Sequence, residues 1–151
     1  MKAYKRLVLL GENPGQREAG VTTYLQAVFP GLEIREMSPE ELLSTYITLD
    51  ISNTVVVILG AGFIFHDSNP VLVAMEKYGI KFTATVSGHQ IAMMLRLEYP
   101  SHQVPIMVFT DFPEEYIRQL VPQLPSGCTE YYLDDNLEKI CETIEQACSM
   151  G

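Results

Sequence analysis

The chain has 151 residues, 47% of them apolar and 19% charged, with a net charge of −9. That length fits one ordinary domain, which at this size buries roughly 70% of its unfolded surface without needing staples. The composition excludes a disordered or fibrous chain, and no apolar run approaches the roughly 18–20 residues of a membrane span. The acidic balance disfavours nucleic acid and anionic membranes as partners. Residues 104–151 hold nine acids against two bases, read as the solvated outer faces of C-terminal helices.

The first apolar run, Arg6–Leu10, predicts a strand, too short for a signal-peptide core. It runs into a Gly-rich loop from Gly11 to Gly20, followed by a helix over Val21–Phe29 that Pro30-Gly31 stops. Leu32–Arg35 is a short second strand. Ser38 predicts an N-cap, with Pro39 at the first helical position and Glu41 completing a capping box for a helix ending near Tyr46.

Thr54–Leu59 is an unbroken β-branched run, the pattern of a strand buried on both faces at the centre of a parallel sheet. Asn69-Pro70 opens a helix to about Tyr78, with Gly79 as its stop. Ile80–Val86 predicts a fourth strand. Ser87 with Gln90 predicts a second capping box, for a helix running to Tyr99.

Val104–Phe109 is the fifth predicted strand. Asp111 with Glu114 starts a helix, Thr129–Leu133 is an edge strand, and Asp135 with Glu138 caps the last helix. In that helix Leu137, Ile140, Cys141, Ile144, Ala147 and Cys148 follow helical spacing. This alternation predicts a single three-layer α/β domain. Its mostly parallel sheet has five to six strands with helices on both faces, in a flavodoxin-like or Rossmann-like order.

Ligands of such sheets bind beyond the carboxyl ends of the strands. The residues gathered there are the candidate ligand set: Gly11, Asn13, Gly15, Arg17, Gly20 and Thr22 after the first strand; Gly60, Gly62 and Ser68 after the third; Ser87 and Gly88 after the fourth. His66 and His89 are the acid–base candidates, with Asp67 and Asp111 as orienting groups. Arg17 and the loop amides suit an anionic or nucleotide-like ligand. The spacing from Gly15 to Thr22 is that of a phosphate loop, but Val21 stands where the lysine belongs, which argues against an NTPase. Gly60-Ala61-Gly62 lacks the third glycine of a dinucleotide fingerprint. No cofactor or metal set is legible.

Two short resemblances carry limited implications. Gly11-Glu12-Asn13-Pro14-Gly15 resembles the G-x-N-P-G motif of mismatch-specific uracil-DNA glycosylases, without that family's later N-P-S-G string. Gly11, Asn13, Arg17-Glu18, Gly20 and Thr23-Tyr24-Leu25, with Gly62 through His66 to Ser68, resemble the loops of type II dehydroquinases. That family's tyrosine, its asparagine (here Gly60), its E-V-H (here Ala84-Thr85-Val86) and its later arginine (here Met93) are absent. The resemblance implies a flavodoxin-like fold without that activity.

Three functional readings follow. The first is a small-molecule-binding or regulatory domain with its site at the strand ends. The second is an enzyme using the same loops with a histidine as acid or base. The third is an assembly subunit acting through the Met-rich helix around Ile91–Leu95; an apolar turn of this kind is either buried between layers or a dimer interface, which leaves a homodimer open. Cys128, Cys141 and Cys148 form no disulfide or zinc framework and suit a reducing, cytoplasmic setting.

Overall fold

The computed structural model describes residues 4–11, 16–60, 62–132 and 136–150, with the side chains of Gln16, Arg17 and Met150 excepted. Five parallel strands, β1 (Arg6–Gly11), β2 (Glu33–Glu36), β3 (Thr54–Leu59), β4 (Ile106–Thr110) and β5 (Cys128–Tyr132), lie in the order β2-β1-β3-β4-β5. The helices are α1 (Gln16–Val28), α2 (Pro39–Thr45), α3 (Pro70–Lys77), α4 (Gly88–Glu98), α5 (Glu114–Leu120) and α6 (Leu137–Met150). Thr54–Leu59 is central, paired with β1 on one side and β4 on the other, and every residue in it is buried.

Strand residues alternate between the faces of the sheet, and the core divides accordingly. Val8, Leu10, Val56, Ile58, Ile106 and Val108 pack with α2, α3 and α4. Leu7, Leu9, Val55, Val57, Leu59, Met107 and Phe109 pack with α1 and α6. Each fully buried aliphatic side chain contributes about 1.5–3 kcal/mol. The apolar set of α6 serves this purpose, with Ile140, Cys141, Ile144 and Cys148 all buried.

The segment Ile80–Val86 does not form the expected strand. None of its residues joins the five-stranded sheet, in which β3 is flanked by β1 and β4. Only Val86 pairs, through an antiparallel bridge to Phe63 whose two amide–carbonyl bonds measure 2.9 and 2.8 Å. That bridge ties the loop after β3 to the start of α4.

Helix α1 begins at Gln16, five residues before the expected start, so Gly20 lies inside the helix rather than in a loop. A Cβ there would come within 2.8 Å of Leu137 Cδ2. Close packing of α1 on α6 therefore offsets the roughly 1 kcal/mol that glycine costs a helix.

The caps are mixed. Ser38 accepts from Glu41 N at 3.2 Å, but the Glu41 carboxylate turns to Arg35 at 3.1 Å, leaving the box half made. Ser87 and Gln90 complete theirs. Pro113 stands at the N-cap of α5 in place of Asp111, and Thr110 Oγ1 takes the Phe112 amide at 3.1 Å. Asn136 Oδ1 accepts from Lys139 N at 3.2 Å at the start of α6, while Asp135 lies outside the described residues.

The Met-rich helix is core. Ile91, Ala92, Met94 and Leu95 are fully buried in α4, so they present no surface to a second copy. Among the described residues no helix is long and apolar enough to cross a membrane, and all three cysteines are free.

Candidate functional site

In this strand order the chain leaves β1 toward β2 on one side and reaches β3 on the other. A crevice opens at such a switch point, beyond the carboxyl ends of the strands. Here it is a cleft of about 460 Å³. Leu9 and Gly11 of β1 contribute, with Glu36 to Glu40 on one wall and Phe63 to His66 on the other. Asn69 spans the two walls, its amide donating to Glu40 Oε2 at 2.8 Å. Asn69 also caps α3, accepting from Val71 N at 2.9 Å.

Glu18 also lines this cleft. It stands in the first turn of α1, where the helix dipole favours a negative charge. It is 1% exposed, and among the described residues neither carboxylate oxygen has a hydrogen-bond partner. Glu36 and Glu40 are exposed at the rim. The opposite wall is apolar up to His66: Phe63 and Phe65 stack with centroids 6.4 Å apart and planes 9° off parallel, and Ile64 is 78% exposed.

Of the acid–base candidates, His66 belongs to the cleft and His89 does not line it. His89 is buried, 3.0 Å from Glu130 Oε2 on β5 and stacked on Tyr132. Arg118 of α5 bonds the other oxygen of Glu130 and donates to Tyr132 Oη at 3.0 Å. Burial holds the His89 imidazole below its ordinary value, against the opposing pull of Glu130. Its Nδ1 is buried without a partner. Asp67 and Asp111 are exposed, and the carboxylate that pairs with a histidine is Glu130 rather than either of them.

The ligand candidates divide similarly. Gly11 is in the cleft. Gly60 and Gly88 form a close joint beside it, where a Cβ on Gly88 would sit 3.1 Å from the Gly60 carbonyl and 2.9 Å from Ile58. Gly60 has a φ of 114°, a conformation that glycine tolerates. Ser87 is occupied as the cap of α4. Ser68 faces a separate outer groove with Pro70 and Val73 of α3. Gly20 and Thr22 lie within α1, outside the cleft lining, and Gly62 lies in the loop after β3. Asn13, Gly15 and the side chain of Arg17 lie outside the described residues.

The anionic ligand expected from Arg17 thus meets three carboxylates and no lysine or arginine in the described lining. Glu18, Glu36, Glu40 and Phe65 are the residues that sequence reasoning passed over. Among the described residues no three His, Cys, Asp or Glu side chains form a group able to hold a metal ion.

No protein-family model matches the chain, and no curated protein matches it in sequence. Solved structures share its fold. The chemotaxis protein CheY4 of Vibrio cholerae aligns with a TM-score of 0.57 at 14% identity, covering 95% of this chain and 98% of its own. The phosphorylated cyanobacterial phytochrome response regulator RcpA aligns at 0.59 and 11% identity, covering 96% and 91%. The signal receiver domain of the putative response regulator NarL from Mycobacterium tuberculosis aligns at 0.53 and 12%, covering 97% and 98%. The chain therefore has the flavodoxin-like fold of CheY-like receiver domains.

Proposed function

We propose that the chain is a regulatory α/β domain that binds a small molecule in the cleft at the carboxyl ends of β1 and β2. The observation that carries this reading is the cleft itself, about 460 Å³ at the switch point of the sheet and lined by a buried carboxylate and an aromatic wall. That volume falls in the range of roughly 300–1,000 Å³ typical of small-molecule sites. The fold shared with response-regulator domains supports a regulatory rather than a catalytic role by analogy. The enzyme reading has less support, because only His66 of its two histidines lines the cleft, while the one paired with a carboxylate, His89, is buried away from it. The acidic balance supports a small-molecule partner over nucleic acid or membrane.

The test is a small-molecule screen against the 15N-labelled full chain. At least one compound should shift the amide signals of residues 36–38, 40 and 63–66. Hits that perturb only other surfaces, or a library with no hits, would refute the reading.

A further inference from the structure

We propose that the ligand of this cleft is a small organic cation, an ammonium or guanidinium group on an aromatic or aliphatic body, with Glu18 as its counter-ion. The inference rests on the cleft being the ligand site and adds the charge and shape of what enters it.

Three independent features converge. The first is Glu18. A carboxylate taken out of water needs a charged or hydrogen-bonding partner, and this one has none among the described residues although it is buried and lines the cleft. An ammonium or guanidinium supplies both the opposite charge and the missing donors.

The second is the balance of charge around it. Glu36 and Glu40 stand at the rim, and no described lysine or arginine lines the cleft to neutralise them. Among the described side chains, Arg35 and Arg6 are engaged outside it, Arg35 with Glu41 at 3.1 Å and Arg6 with Glu33 at 3.4 Å. The acidic rim lowers the energy of an incoming cation and raises that of an anion.

The third is the apolar wall. The rings of Phe63 and Phe65 lie nearly parallel, and exposed Ile64 extends the surface they offer. Such a wall accepts a hydrocarbon or aromatic body, and ring faces attract cations. A bare divalent ion would make no use of this wall, and the described acids do not gather into a metal-binding group.

The experiment compares three probes of similar shape on the full chain: 2-phenylethylammonium, 3-phenylpropan-1-ol and 3-phenylpropionate. Each is titrated by NMR and by thermal shift. The ammonium should move the amides of residues 36–38, 40 and 63–66 and raise the melting temperature, while the carboxylate should not. Raising the salt should weaken the ammonium. Glu18→Gln should lower its affinity at least about tenfold, in line with the loss of one charge-assisted contact. Should Glu18→Gln fail to fold, Glu36→Gln, at the exposed rim, should still weaken the ammonium and spare the alcohol.

If the alcohol or the carboxylate occupies the cleft as well as the ammonium does, the charge assignment is overturned while the cleft remains the ligand site. If none of the three binds but other compounds map to the cleft, the cation class is likewise overturned. If nothing maps to the cleft, both readings fail together.

Discussion

The carboxylate of Glu18 occupies the space that a side chain on Gly11 would take: a Cβ added at residue 11 would overlap it. Gly11 ends β1 and Glu18 stands in the first turn of α1, so the two residues couple the last residue of the strand to the floor of the cleft. Gly11→Ala should destabilise the fold by about 1–3 kcal/mol, the range for overpacking a close-packed site. In a Glu18→Ala background most of that cost should vanish, because the clashing group is gone. Urea unfolding of the four variants in this cycle measures it, and an undiminished cost in the double variant would contradict the packing described.

Arg96 should prove a structural charge. It is 6% exposed and donates to the Tyr46 hydroxyl, to the Val104 carbonyl at 2.6 Å and to the Ser126 carbonyl at 3.2 Å. Arg96→Met should cost roughly 3 kcal/mol and Tyr46→Phe somewhat less, since each buried partner left unsatisfied costs about 1–3 kcal/mol. Neither change should affect ligand binding at the cleft. Denaturation midpoints within error of wild type for both variants would refute the network.

His89 should make stability sensitive to mild acid. Burial lowers its folded value below the ordinary 6.5, while Glu130 pulls it up and Arg118 pushes it down. The unfolded chain therefore takes up the proton first as pH falls, so the contribution is present above about pH 6.5 and is lost below it. Urea midpoints should decline between pH 7.5 and pH 5 more steeply in the wild type than in His89→Gln. Parallel declines would remove His89 as the cause.

The thiols should be sluggish in the folded chain. Burial pushes Cys148 up to about 11 and raises Cys128 and Cys141 as well. Because the thiolate is the reactive species, a thiol reagent at pH 8 should modify the native chain slowly and all three cysteines promptly in urea. Rapid native labelling of Cys148 would contradict its place between α6 and the sheet.

The architecture was legible where local pattern and tertiary role coincide. Thr54–Leu59 reads as a central strand because burial on both faces demands an unbroken apolar run, and it holds that place. Ile80–Val86 alternates apolar and polar residues as a half-buried strand would, yet it forms none, because pairing depends on tertiary neighbours that no local pattern reveals, and its one bridge is from Val86 to Phe63. The strand-end rule located the cleft through Gly11 and His66, but its acids went unread. Glu18 reads as one more polar residue of the loop from Gly11 to Gly20 until the fold places it in the first turn of α1 and turns it inward. Glu36 and Glu40 look like solvated charge at the end of an edge strand and the start of a helix. Residue type alone carries no signal of burial, and Ile91–Leu95 left core and interface open for the same reason; its apolar turn faces the core.

The most direct test of the central claim is a crystal structure of the full chain with 2-phenylethylammonium. The nitrogen should lie within about 3 Å of a Glu18 carboxylate oxygen, a charge-assisted hydrogen-bond distance, with the ring against Phe63 and Phe65. A probe seated elsewhere, or an ammonium group turned out to solvent with Glu18 still unpartnered, would contradict it.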